Sequence, residues 1–321
     1  MDDILDCLVV GGGPAGLTAA IYLARFHLDI RVIDDGNSRA GWIPRTRNHA
    51  GYPDGINGKE LLALMRTQAQ KYGARIETAR VTRIDRDDDG LFTVEWGSGR
   101  QRTKTVLLAT GVTNRRPRMD SDLHDEALAN GQIRYCPICD GFEVTDKKIG
   151  IIGSGSHGVA EAIFLRSYTC DVTLIAPDKA LEVSAEDRQR LDKAGVTMID
   201  GPAEGVAVSG DCITVETASG SRTFDSVYPS LGSDMHTQLG VMLGCTLAED
   251  GCFCCDDHQR TSVEGVYAAG DVVHGLDQIS HAMGEGGVAA TTIRNDIAAK
   301  SPILREPPMP ETELQDAEAG N

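Results

Sequence analysis

The chain has 321 residues, enough for about two domains, with 36 glycines, 5% aromatic residues and a formal net charge of −17. A surface this acidic repels a phosphodiester backbone and an anionic leaflet, which excludes nucleic acid and membrane partners. The acidic opening MDDILDCLVV lacks the basic flank and long apolar run of a secretory signal or spanning helix. A cytoplasmic location is therefore expected, where the nine cysteines are reduced and a close pair is catalytic or metal-binding rather than a staple.

In chain order, Asp6–Val10 predicts a short buried strand, GGGPAG a tight turn, LTAAIYLARF a helix and Ile30–Ile33 a second strand ending at Asp34. This βαβ unit carries Gly11-x-Gly13-x-x-Gly16, with Pro14 and Ala15 inside the loop and Asp34 lying 18 positions after the last glycine. Such glycines let backbone N–H groups and a helix N-terminus approach a pyrophosphate, while the acidic residue accepts a ribose hydroxyl. Val106–Leu108 runs into the small-residue turn Ala109-Thr110-Gly111.

The pattern repeats in mid-chain. Lys148–Ile152 leads into Gly153-x-Gly155-x-x-Gly158, then VAEAIFLRSY reads as a helix and Asp171–Ile175 as a strand. Short alternating strands follow in CITVETASG and SRTFDSVYPS. A further strand, GVYAAGDVV, passes through Gly270 and Asp271, and Gly284 to Ile297 reads as a closing helix. The segment after Arg305 has prolines and acids without apolar periodicity, so 306–321 is expected to be a mobile tail.

Immediately before the second glycine loop stands YCPICDGFE, with Cys136 and Cys139 two residues apart and Asp140 next to them. One CxxC is too few ligands for a four-coordinate zinc site. Cys7, Cys170, Cys212 and Cys245 are read as core fillers. A redox role for Cys136 and Cys139 remains: a CxxC at a helix start has a lowered thiol pKa, and its spacing allows the pair to close and reopen.

GGGPAGLTAA, LLATG, GVYAAGDV and CPICDGFE together resemble the low-molecular-weight thioredoxin reductase family, over roughly residues 4–300. The resemblance implies an α/β fold with two Rossmann-like dinucleotide-binding domains (three-layer ββα/βαβ), the second inserted in the first. An FAD-binding domain would comprise 1–114 plus 240–321, and a pyridine-nucleotide-type domain 115–239. Asp271 would lie by the ribityl and phosphate part of FAD, with Asn48 and Gln278 near its ring, and Cys252, Cys254 and Cys255 would fall in the short strand that precedes the flavin motif. Cys139 would face the flavin, Cys136 would exchange with substrate, and Asp140 would move the proton. The implied partner is a thioredoxin-like protein or a small-molecule dithiol or disulfide. Homodimers that swing one domain against the other are implied too.

The chain departs from the family at both ends of the relay. Where NADPH-using members carry an arginine cluster, VTLI runs into Ala176-Pro177-Asp178-Lys179. Three readings of NAD(P)H use stay open. Asp178 accepts a ribose hydroxyl and favours NADH, or NADPH binds through Arg166, Arg188 or Arg190, or no pyridine nucleotide is used. Asp277 stands where an arginine is usual, and His281 where a small or hydroxyl residue is usual; a histidine there can move protons near neutrality. Branches lacking the arginine fork oxidise dithiols with oxygen or accept electrons from a protein such as ferredoxin. The direction of electron flow is left open, as is a flavin-bound sensor without turnover.

Overall fold

The computed structural model describes residues 4–304; the tail expected at 306–321 lies outside them. The first half contains β1 (Leu5–Val10), α1 (Pro14–Arg25), β2 (Ile30–Asp34), α2 (Gly58–Lys71), β3 (Arg75–Thr78), β4 (Val81–Arg86), β5 (Phe92–Trp96) and β6 (Gly99–Leu108). Next come β7 (Val112–Asn114), α3 (Ser121–Ala129), α4 (Pro137–Asp140), β8 (Ile149–Gly153), α5 (Gly155–Leu165), β9 (Val172–Ile175), α6 (Ala185–Ala194) and β10 (Thr197–Ile199). The chain closes with β11 (Glu204–Ser209), β12 (Cys212–Thr217), β13 (Gly220–Phe224), β14 (Ser226–Ser230), β15 (Ser233–Met235), α7 (Gln238–Met242), β16 (Val266–Ala268) and α8 (Ile279–Lys300).

Two parallel sheets organise these elements. In the larger one the order is β3-β2-β1-β6, and β6 also receives β16 in parallel and the antiparallel pair β5-β4. The smaller one is wholly parallel, β10-β9-β8-β14. Parallel strands are covered on both faces, so they read as continuous apolar runs rather than alternations. Accordingly Leu8, Val9, Val32, Val106 and Leu107 in the first sheet are fully buried, as are Ile151, Leu174 and Val227 in the second. Helices α1 and α8 pack together over the first sheet through alanines such as Ala19, Ala20, Ala289 and Ala290. These small residues bring α1, and the glycine loop at its N-terminus, close to the sheet.

The strand Gly220–Phe224 and the strand Ser226–Ser230 come from one predicted run but belong to different sheets. The first is exposed except at Phe224 and joins the antiparallel trio β11-β12-β13; the second is buried throughout and joins the parallel sheet. The closing helix is longer than predicted and places His281 within its first turn. Cys252, Cys254 and Cys255 are not in a named strand, because only Phe253 makes bridges there, to Leu247 and Val273. Cys7 and Cys245 are core residues, whereas Cys212 is half-buried and Cys170 is exposed, so the latter is no core filler.

Candidate active site

The first glycine loop forms the floor of a cavity of about 1190 Å³ that runs from Asp34 and Asp35 to Cys136 and Cys139. Gly11 has φ +108°, and a Cβ there would stand 2.2 Å from the Ala109 carbonyl oxygen. Both the left-handed backbone and the close approach demand glycine. Gly13 is the N-cap of α1 without a side-chain cap, and Pro14 occupies the first turn. The amides at the head of this 12-residue helix are thus free to receive an anion. Gly16 packs behind the loop, where a Cβ would meet the Gly11 carbonyl oxygen at 2.0 Å.

Gly11, Gly13, Pro14, Ala15, Asp34, Asn48, Ala109, Thr110, Gly111, Gly270, Asp271 and Gln278 all line this cavity. Asp34 is buried and already engaged: it accepts from the Gly12 amide at 3.0 Å, the Gly36 amide at 3.2 Å and the Arg66 guanidinium at 2.5 Å. Asp271 is held with its carboxyl above the usual range, by burial first and by the Asp277 charge second, against the pull of Arg39. Arg39 bridges both carboxylates, at 3.0 Å to Asp271 and 2.6 Å to Asp277. The uncompensated acid that the sequence suggests at position 277 therefore has a cation beside it, supplied from a turn some 240 residues earlier.

Cys136 and Cys139 form a disulfide at the cavity's far end. Cys136 caps the short helix α4, and its sulfur accepts from the Cys139 amide at 3.2 Å. Gln278 donates to both sulfurs, at 3.3 Å to Cys136 and 3.1 Å to Cys139. Its own carbonyl oxygen accepts from the Asn48 amide at 2.8 Å, and Asn48 in turn accepts from Thr46 at 2.9 Å. A hydrogen-bonded row thus fixes the Gln278 amide toward the disulfide from the loop that carries Asn48.

Asp140 accepts from Arg134 at 2.9 Å and from the Tyr228 hydroxyl at 2.8 Å. Burial pushes its carboxyl up, and the two donors oppose that only in part. A carboxyl in this setting keeps its proton to higher pH than an exposed one. The sequence reading missed Arg134 and Tyr228; Tyr228 sits in a wholly buried strand and reads as core. His281 does not line the cavity. Its Nε2 lies 3.1 Å from Glu285, a buried carboxylate that accepts from the Gly270 amide at 2.7 Å.

Ser154 and His157 of the second glycine loop face a separate groove of about 640 Å³, together with Asp178 and Arg115, Arg116 and Arg118. Gly155 has φ +61° with open space where a Cβ would point, while Gly153 packs on Ser230 and Gly158 on Gly153. Asp178 is paired with Arg118 at 2.7 Å. None of the cations named from sequence lines this groove: Arg166 is bound to the carbonyls of Ala194 and Thr169, Arg188 reaches Met198 and Arg190 pairs with Asp187.

The profile of the pyridine nucleotide-disulphide oxidoreductases matches residues 5–286. The chain belongs to this family. A thioredoxin reductase of Listeria innocua is 30% identical over 300 residues, covering 90% of this chain and 92% of the relative. Among solved structures, thioredoxin reductase from Streptococcus pyogenes is similar with a TM-score of 0.85 at 27% identity, over 93% of this chain and all of that one. HlmI is similar with a TM-score of 0.84 at 26% identity, over 99% of this chain and 96% of that one. This pyridine nucleotide-disulphide oxidoreductase has the two-Rossmann architecture expected from the sequence and is an FAD-dependent enzyme acting on sulfur, of thioredoxin reductase type. Among the described residues no helix is long and apolar enough to cross a membrane.

Proposed function

We propose that FAD lies in the large cavity and that the enzyme reduces the disulfide of a thioredoxin-like protein through Cys136 and Cys139. The observation that carries this is the Cys136–Cys139 disulfide, hydrogen-bonded by Gln278 inside the same cavity that the glycine loop floors. The residues present suit FAD. Gly11–Gly13 and the uncapped head of α1 would take the pyrophosphate, Asp34 the ribose, and Asp271, Asn48 and Gln278 the ribityl and ring end. When bound, FAD supplies two-electron redox chemistry beside the disulfide.

The reduced pair would act by exchange. The Cys136 thiolate, stabilised by the Cys139 amide, attacks one sulfur of the substrate disulfide. That S–S bond breaks, and the departing substrate thiolate takes a proton from Asp140. The Cys139 thiol returns a proton to Asp140 and its sulfur attacks Cys136, which restores the Cys136–Cys139 bond and releases the second substrate sulfur as a thiolate. Two electrons leave the pair and two enter the substrate.

A reduced pyridine nucleotide would dock in the second groove, on the open backbone at Gly155. Asp178 and Arg118 neutralise one another there, so a nucleotide 2′-phosphate meets a cation as well as an acid. The division into 1–114 plus 240–321 and 115–239, and the homodimer, belong to the same proposal. Anaerobic titration of the FAD-loaded protein with NADPH and then NADH tests it. Bleaching of the flavin band at stoichiometric nucleotide, with turnover of thioredoxin disulfide, is expected. Bleaching by dithiols alone, with recovery in air, would replace it with a dithiol oxidase.

A further inference from the structure

The two sheets are joined at one place only among the described residues. The chain leaves the large sheet through β7 and returns through β15, and these two three-residue strands pair with each other. Arg115 N donates to the Gly232 carbonyl at 3.0 Å and His236 N to the Gly111 carbonyl at 3.1 Å, which continues the ribbon at both ends. Two bodies linked by a single narrow ribbon can pivot about it, with φ/ψ changes confined to a few element-terminal residues. Which orientation is held then depends on side-chain contacts away from the ribbon.

The most extensive of these contacts is built around Trp42, at the end of the 3-10 turn Arg39–Trp42 on the large-sheet side. The Arg116 guanidinium lies over its ring at 4.5 Å, and the rings of His124 and Tyr135 approach it at 5.9 and 6.1 Å. The surrounding residues are themselves tied down. The His124 ring bonds the Tyr135 hydroxyl at 2.7 Å, and Asp125 pairs with both His124 and Arg116. Tyr135 directly precedes Cys136, so the cluster acts on the backbone that carries the disulfide. Arg47 to Glu143, at 3.8 Å, is a weaker contact on the other flank of the CxxC, with Arg47 half exposed.

We propose that Trp42 is a positioning residue: its clasp on Arg116, His124 and Tyr135 holds the Cys136–Cys139 pair against Gln278, and release of the clasp presents Cys136 to a protein substrate. The inference rests on the reading of Cys136 as the exchanging sulfur. Without the ring, the closed orientation loses one cation–π contact, one edge-on ring contact to His124 and one tilted ring contact to Tyr135, which shifts the closed-to-open ratio by about tenfold.

The test needs no turnover. Full-length, FAD-loaded protein is reduced with a phosphine, and the rate at which a bulky maleimide labels Cys136 is followed by peptide mapping. Cys254, which is exposed, serves as the internal standard. Trp42→Ala is expected to raise the Cys136 rate about tenfold with Cys254 unchanged. Arg116→Ala, which leaves the ring in place, should give a smaller rise in the same direction, and it carries the test alone if Trp42→Ala does not fold. An unchanged Cys136 rate would overturn the proposal, and so would a parallel rise at Cys254, which reports general loosening. Since labelling requires neither an electron donor nor thioredoxin, an enzyme inactive in the reductase assay would still return an answer on the clasp.

Discussion

Replacing Asp140 by Asn separates the chemistry of the site from its packing. The side chain is nearly isosteric, and its amide oxygen can still accept from Tyr228 or Arg134, the two donors that hold the carboxyl at 2.8 and 2.9 Å. Arg134 also keeps its bond to the Gly131 carbonyl at 3.0 Å. Burial already disfavours the carboxylate here, so a neutral amide costs the fold little. What disappears is the proton: removing a positioned acid/base slows the step it serves by about 10²–10⁴-fold. The pH dependence has a definite sign. The native carboxyl titrates above the ordinary carboxylate range, so the native state holds a proton that the unfolded chain has lost. Stability contributed by that protonated form is complete below the ordinary range and falls as pH rises through the raised value. In the Asn variant this part of the stability profile vanishes, together with the matching limb of the exchange rate. Rapid mixing of reduced enzyme with a disulfide substrate over pH, with denaturant melts alongside, reads both. Unaltered exchange, or a rate profile that keeps the limb, would refute the role assigned to Asp140.

Tyr228→Phe removes a donor that favours the Asp140 carboxylate, so the Asp140 limb should move to higher pH at a cost of about 1 kcal/mol in stability. Gln278→Leu deletes the amide that touches both sulfurs; flavin-to-disulfide transfer should slow roughly tenfold for one lost orienting contact, read as the rate of flavin reoxidation by the pair. Gly11→Ala forces a side chain into φ +108° against a backbone carbonyl. The strain and overlap together should cost roughly 3–5 kcal/mol, and the purified protein should lack flavin absorbance.

Both glycine loops and the CxxC were legible because their chemistry is local: the turn, the helix head and the disulfide each need particular residues at short spacing. The strands of the two parallel sheets were legible for a similar reason, since burial on both faces leaves unbroken apolar runs such as Ile149–Gly153. What escaped was everything assembled by tertiary contact. Arg39 pairs with Asp271 and Asp277 across 232 and 238 positions, and Asp178 finds Arg118 across 60. Tyr228 went unremarked because it lies inside an apolar run, and its hydroxyl meets Asp140 only across 88 positions. Arg166 looked available but spends its donors on backbone carbonyls. The alternation read into 221–230 concealed a change of sheet at Asp225, where the chain passes from a strand exposed up to Phe224 to one that is fully buried.

In the proposed mechanism flavin and the Cys136–Cys139 pair form one electron store. Anaerobic reductive titration with dithionite, counted against bound FAD, tests it most directly in the wild type and in Cys139→Ser. The wild type is expected to take up twice the electron equivalents of the variant before the flavin is fully bleached, with both binding FAD equally. Equal uptake by the two proteins, with the disulfide intact in the wild type at the endpoint, would contradict it.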